Sequence, residues 1–326
     1  MRILILSRRK SFYSTRRIIR AARRRSHDVL VADPLEFYPV ISRHRPSLYY
    51  RGESMEGIDL VIPRIGVSIT PYGLALVRQF DMMGIPVLNN AIAIARSRDK
   101  LRSLQLLTKR DIDVPTTVCA RSPTQLEHAL HLVGGPPCII KMPQGTHGVG
   151  VMIAETRKGL ESLVETLWGM GHAILIQQYI ASSRGRDVRV IVIGGRVVAA
   201  MRRTPAPGEF RSNLHRGGEG QPIDLEPAYA RAAIAATKVI GLEVAGVDIL
   251  ETPSGPKILE VNSSPGLEGI EKTTRVGVAE ALVRHGEKYV RTRRRRRRRG
   301  RGSYPGREDA VITAERRRTP RLGAAR

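Results

Sequence analysis

The sequence predicts an α/β domain that passes into an α+β arrangement, three lobes in all. Short apolar strands alternate with helix-like stretches up to about residue 95, the pattern of a small parallel sheet. From Ala95 the texture changes to leucine-rich helices between isolated strands. Beyond Asp187, strand pairs joined by tight turns point to antiparallel pairing.

In the first lobe (1–95), "RILILS" (2–7), "DVLVAD" (28–33), "LVIPR" (60–64) and "IPVLN" (85–89) read as strands. Helices are expected from near Ser14, with Ile18, Ile19 and Ala22 on one face, and from Thr70-Pro71. In the second lobe (96–180) a helix carries Leu101, Leu104, Leu106 and Leu107. It is followed by strand "TTVCA" (116–120), a helix over 122–132 and strand "CIIKM" (138–142). After a glycine loop come strand "VMIAE" (151–155), a helix over 158–168 and strand "AILIQQY" (173–179). The third lobe (181–290) pairs "DVRVIVIG" (187–194) with "RVVAAMRR" (196–203) across Gly194-Gly195. A loop (204–223), a helix (226–240), the strands "VAGVDIL" (244–250) and "KILEVN" (257–262), and a helix over about 275–289 complete it.

Hydrophobic residues make up 41% of the chain and aromatic residues only 4%, so an aliphatic core is expected. No run approaches the roughly 18 apolar residues that suggest a membrane span. Ile3–Leu6 is too short for a signal peptide, so a cytoplasmic protein with no membrane partner is expected. Cys119 and Cys138, the only cysteines, read as reduced core thiols. Of the net charge of +25, residues 291–326 carry +12, from 15 Arg against Glu308, Asp309 and Glu315. The run Arg293–Arg299 repels itself and is expected to form a disordered tail.

The chemistry concentrates in "KILEVNSSPG". Side chains alternate along a strand, so Glu260 and Asn262 share one face and Leu259 and Val261 the other. An acidic group is costly to bury unpaired, which points to a cation. Six residues around "TPSGP" separate "DIL" from "KILEVN", a hairpin spacing that brings Asp248 opposite Glu260 and Asn262. Two carboxylates and an amide oxygen suit magnesium, which takes its other ligands from water and phosphate. A sheet edge with incidental charges is the plain alternative. Lys141 precedes a loop with Gly145, Gly148 and Gly150 whose N–H groups can cover an anion, although an ordinary hairpin has the same composition. It is no Walker loop, since no Gly-Lys-Ser/Thr follows. Lys100, in "SRDKLRS", is a second candidate for phosphate.

A lysine at the head of a helix, a lysine before a glycine lid, a "QQYI" linker and Asp, then Glu-x-Asn on two strands resemble the ATP-grasp superfamily. Within it, "RDKLRSLQLL", "FRSNLHRGG", "VAGVDIL" and "EVNSSPGLEGIEKTT" resemble the RimK group, ligases that add glutamate to the C-terminus of the sixth small-subunit ribosomal protein. The resemblance runs from Met1 to about residue 288, including "VIPRIG". It implies an ATP-grasp fold with the nucleotide between the two C-terminal lobes. It also implies that Lys100 and Lys141 meet the ATP phosphates, Gln178 and Tyr179 line the adenine pocket, and Asp187 reaches the sugar. Arg211, Ser212 and Asn213 would close over the triphosphate. Asp248, Glu260 and Asn262 would hold two magnesium or manganese ions, with Glu260 between them. His147 stands where the family commonly has Gln in the lid.

The resemblance implies ligation through an acyl phosphate. An arginine near the phosphate can stabilise the tetrahedral oxyanion, and Arg203 and Arg189 are the candidates, although either could be a surface ion-pair arginine. The expected partners are L-glutamate and the C-terminus of a small-subunit ribosomal protein, with ribosomal RNA or polyglutamate meeting the arginine tail. A homo-oligomer is compatible with the sequence. Two other readings are a ligase for a small-molecule or carrier acceptor, and a non-catalytic RNA-binding protein. Intact Lys141, Asp248, Glu260 and Asn262 count against the latter.

Overall fold

The computed structural model describes residues 1–43, 46–143, 150–214 and 217–301. Its sheets follow the apolar strands of the sequence. The first is parallel, in the order β2 (Asp28–Ala32), β1 (Arg2–Leu6), β6 (Leu60–Pro63). Helix α1 (Tyr13–Arg24) connects β1 to β2, burying Ile18, Ala21 and Ala22. The expected strand at 85–89 is reduced to one parallel bridge, Val61 to Val87. Pro86 has no N–H to donate, and Asn89 is drawn away to bond the backbone at Val244 and Ser263. A small antiparallel sheet was not foreseen: β3 (Phe37–Val40), β4 (Ser47–Tyr50) and β5 (Glu53–Ser54). Tyr38 stacks on Tyr49 at 5.5 Å within it.

Helix α2 (Thr70–Met82) packs into this first core. Helix α3 (Ala91–Arg98) is shared, with Ala91 and Ile94 in the first core and Ala93 in the core of the third large sheet. Helix α4 (Lys100–Thr108) begins at Asp99, whose carboxylate caps it by accepting from the Arg102 N–H at 2.8 Å.

The second large sheet is antiparallel, in the order β7 (Thr117–Ala120), β10 (Ile174–Gln178), β8 (Cys138–Lys141), β9 (Val151–Ala154). Helices α5 (Leu126–Val133) and α6 (Arg157–Gly169) cover its core. The pairing of the cysteines as core thiols needs correction. Cys138 is buried, its thiol pushed up to about 11 by burial, but Cys119 lies on the exposed face of β7.

The third large sheet runs β13 (Glu219–Pro222), β12 (Arg196–Thr204), β11 (Asp187–Ile193), β14 (Val244–Thr252), β15 (Gly255–Asn262), all antiparallel. Strand β13 lies inside the span expected to be loop, and its "EGQP" has no apolar alternation to betray it. Helix α7 (Pro227–Ile240) packs Ala233, Ala236 and Ile240 on the sheet. Helix α8 (Glu268–Thr274), also unforeseen, follows β15. The cores are aliphatic, with Phe37 and Phe80 the large aromatic exceptions.

The last helix, α9 (Val278–Arg301), corrects the expected tail. Buried Val278, Ala279, Leu282 and Val283 anchor its first turns, and extending an existing helix is far cheaper than nucleating one. Arginine is a good helix former, and each like-charge neighbour costs only tenths of a kcal/mol. The remainder of the tail, 302–326, and the lid residues Gly145, His147 and Gly148 lie outside the described residues. No described helix is long and apolar enough to cross a membrane.

Candidate active site

The hairpin spacing places Asp248 and Glu260 as direct partners on β14 and β15, with Asn262 opposite Gly246. Strand β11 flanks them on the other side, setting Arg189 against Asp248. Gly246 is required by close approach, because a Cβ there would stand 2.7 Å from the Pro265 side chain. Strict alternation fails at one point. The register slips by one residue between Asp248 and Ile249, so Leu259 and Glu260 share the space opposite Asp248. Leu259 consequently lines the same cavity as Glu260, while Ile258 and Val261 stay in the core. A bulge of this kind re-aims side chains beside a site.

Two arginines and two aspartates form a buried network. Arg203 donates through Nε and Nη2 to the two oxygens of Asp187 (2.7 and 2.5 Å), and its Nη2 lies 3.1 Å from Asp248. Arg189 grips Asp248 through Nε and, at 2.7 Å, through Nη2. Arg203, Asp187 and Asp248 are only 4%, 5% and 6% exposed, so these are not surface pairs. Burial opposes the ionised Asp248, but Arg189 and Arg203 outweigh it and hold its carboxyl below the usual carboxylate range. Arg203 keeps Nη1 without a hydrogen bond to any described residue.

Glu260 is different. It accepts no hydrogen bond from a described residue, and burial lifts its carboxyl above the usual range despite the attraction of Lys100 and Lys141. Asn262 leans its amide N–H toward Asp248 at 3.4 Å, leaving its amide oxygen available. Carboxylate and amide oxygens on one face are the hard donors that magnesium takes. Among the described residues no cluster of three His, Cys, Asp or Glu could hold a metal, so any ion here must complete its shell from a ligand or water.

Across the cavity, β8 ends in Lys141, whose Nζ donates to Gln177 Oε1 at 2.7 Å. Burial pushes this ammonium down to about 8, with Glu260 pulling up and Lys100 down. Lys100 heads α4 and is lowered by burial, with Glu260 as its electrostatic partner. Arg211 clasps Glu209 (2.9 and 3.0 Å), holding that carboxyl down at about 2, and lies over the Phe210 ring.

One cavity of about 840 Å³ gathers Lys141, Gln178, Tyr179, Asp187, Arg189, Arg203, Arg211, Ser212, Asn213, Asp248, Glu260 and Asn262. Every candidate site residue thus lines it except Lys100, which stands close enough to interact with Glu260 and Lys141. Sequence reasoning missed Gln177, which links Lys141 to Thr117 through its amide (Nε2 to Oγ1, 2.7 Å). It also missed Asn89 and Ser97. Ser97 Oγ donates to the Val261 carbonyl (2.7 Å) and accepts from the Ser263 N–H (3.0 Å), bracketing Asn262. Neither residue carries a local signal, because their partners lie more than 150 positions away.

Residues 1–94 match the RimK pre-ATP-grasp domain, and residues 97–285 the RimK-like ATP-grasp domain. A probable alpha-L-glutamate ligase of Pseudomonas paraeruginosa is 51% identical over 288 residues, 88% of this chain and 96% of the relative. The crystal structure of a RimK domain protein ATP-grasp from Sphaerobacter thermophilus superposes with a TM-score of 0.70 at 22% identity, covering 88% of this chain and 99% of that one. The ATP-grasp ligase PsnB, complexed with a precursor variant, Mg and ADP, has a TM-score of 0.68 at 20% identity, covering 88% and 98%. The fold is ATP-grasp.

Proposed function

The chain belongs to the RimK-like ATP-grasp family of ATP-dependent carbon–nitrogen ligases, with glutamate ligases among its relatives, and from that premise we propose that it joins L-glutamate to the C-terminal carboxylate of a small-subunit ribosomal protein. The observation that carries the reading is the single cavity in which Lys141, Asp248, Glu260, Asn262 and the linker Gln178-Tyr179 converge. In this reading the nucleotide lies between lobes 96–180 and 181–290. Lys100 and Lys141 meet its phosphates, Gln178 and Tyr179 its base, and Asp187 its sugar through lone pairs that Arg203 leaves open. Arg211, Ser212 and Asn213 close over the triphosphate.

Asp248, Glu260 and Asn262 hold two magnesium or manganese ions, whose charge offsets that of the phosphates. The acceptor carboxylate attacks the γ-phosphorus, giving an acyl phosphate and ADP. The glutamate amine then attacks the acyl carbon, phosphate leaves, and the amine proton passes to solvent. Arg203 would donate through Nη1 to the oxyanion of that second step, with Arg189, bonded to Asp248, steadying that carboxylate beside it. Exclusion of water from the site would protect the acyl phosphate from hydrolysis.

The arginine-rich end contacts ribosomal RNA or the growing polyglutamate, which requires a steep fall of association with salt. The test is ADP release by the purified protein with L-glutamate, with and without the ribosomal protein, across a salt series. Release that needs both substrates and weakens with salt is expected. Release with glutamate and a small carboxylate alone would move the acceptor to a small molecule, and no glutamate-dependent release would overturn the reading.

A further inference from the structure

Outside the cavity, Arg64 and Arg98 carry charge that no described residue balances. Arg64 donates through Nη2 to the Pro265 carbonyl at 2.9 Å. Arg98 donates through Nη1 to Thr70 Oγ1 at 2.6 Å and through Nη2 to the Ile65 carbonyl. These acceptors are all neutral. No carboxylate among the described residues pairs with either guanidinium, and Arg98 Nε is buried without an acceptor. Both side chains are half-buried; burial, and then the neighbouring Arg98 cation, push Arg64 down to about 10, and burial lowers Arg98, while a guanidinium stays charged at neutral pH. Shielded charges in proteins are ordinarily paired. An anion is the component that would complete this pair.

The place is also that of a ligand. Arg64 is the first residue beyond β6, and its N–H donates to the Leu6 carbonyl at the end of β1 (2.8 Å). It therefore sits on the carboxyl edge of the parallel sheet, where open α/β sheets take their ligands. The segment it touches, Ser264–Gly266, lines the cavity. Pro265 lies three residues beyond Asn262, an extended reach of at most about 11 Å.

We propose that Arg64 and Arg98 form a subsite for a carboxylate that the ligation does not consume, one of the two carboxylates of the incoming glutamate. The proposal rests on the glutamate-ligase reading. In that reaction only the amine of glutamate reacts, and both carboxylates pass through unchanged. A guanidinium receives a carboxylate through two parallel N–H···O bonds, a geometry an ammonium cannot reproduce. Each cavity arginine already faces a carboxylate, Arg189 and Arg203 meeting Asp187 and Asp248, and Arg211 meeting Glu209, whereas Arg64 and Arg98 face none among the described residues. A carboxylate side chain of the acceptor shares this chemistry, and kinetics separate the two sources.

The experiment measures ADP release by the full chain and by Arg64→Gln and Arg64→Lys, varying glutamate, acceptor and ATP separately. Glutamine and isoglutamine, the γ- and α-amides, replace glutamate in parallel. Loss of one charged hydrogen-bonded contact predicts a KM for glutamate raised about 10- to 100-fold in Arg64→Gln, with the KM for ATP and acceptor unchanged. Arg64→Lys should recover part of the loss. Wild-type enzyme should discriminate against one amide, and Arg64→Gln should lose that discrimination. As a check independent of any variant, glutamate should raise the melting temperature of the unmodified protein in the presence of nucleotide, and that same amide should not.

A shift in acceptor KM with glutamate KM unmoved would assign the subsite to the acceptor and overturn the proposal. An unchanged glutamate KM, or equal stabilisation by glutamate and both amides, would also overturn it. Absence of glutamate-dependent ADP release in the wild type would instead strike the ligase reading itself, and this ligand with it.

Discussion

Two halves of one cavity wall treat charge in opposite ways. On β11, β12 and β14, Asp187 and Asp248 meet Arg189 and Arg203 in direct contact, and the four charges cancel. On β15 and β8, Glu260 has no ion pair with a described residue, and Lys141 has only the neutral Gln177. Yet Asp248 and Glu260 are register partners on adjacent strands. The first half is neutralised as the chain folds, and its carboxylates are oriented before any ligand arrives. The second keeps lone pairs and an ammonium for charges brought from outside. Substitutions in the first half should therefore be felt in stability as well as turnover, and those in the second in turnover alone.

The largest effect is expected from Glu260→Gln. It removes a carboxylate that no described residue pairs with, so turnover should fall by about three powers of ten, ~4 kcal/mol of transition-state stabilisation. Unfolding should barely move. Steady-state rates across a magnesium series, with a thermal melt beside them, make the check. Near-normal activity at low magnesium would erase the contrast between the halves.

Arg203→Gln should do the reverse to the fold. It leaves Asp187 and part of Asp248 buried without their cation, a loss of about 3–5 kcal/mol, read as a lower denaturant midpoint. The sign with pH follows from Asp248. Its carboxyl is held below the usual range, so the pair stabilises the fold above the unfolded-state value, and that stability is lost as pH falls through the lower folded value. The wild type should thus weaken in acid more steeply than Arg203→Gln. Identical acid profiles would mean that the network is not structural.

A smaller effect concerns Lys141, pushed down to about 8 by burial. The unfolded chain keeps this proton to a higher pH, so burying the ammonium costs stability below pH 8, and the cost fades as pH rises from there. Phosphate binding needs the charged form. The KM for ATP should therefore rise several-fold between pH 7.5 and 9, on the order of the titrating fraction. Lys141→Arg should start from weaker binding but show a flatter profile, since arginine stays charged. Parallel profiles would return Lys141 to an ordinary strand end.

Most of the candidate site was legible because its signals are local. Asp248, Glu260 and Asn262 lie on strands one hairpin apart, and a two-residue side-chain period is enough to put them on one face. Where that period broke, at the bulge beside Leu259, the reading erred, since a single extra residue leaves no mark in composition. Strand β13 and the sheet of β3, β4 and β5 escaped for a similar reason, being short and without clear alternation. The helical continuation through Arg301 escaped because charge repulsion was weighed without the packed turns that nucleate the helix.

The sequence by itself determined the order of the longer elements, the hairpin that carries the carboxylates and the family to which the chain belongs, because each rests on residues near one another in the chain. Only the tertiary structure decided which charges are already neutralised. Arg203 meets Asp187 across 16 positions and Arg189 meets Asp248 across 59, while Arg64 reaches Pro265 across 201 and finds no carboxylate among the described residues. Electrostatic pairing acts over a few ångströms in space and is blind to sequence distance. Which cations are left for a ligand is therefore set by the folded packing.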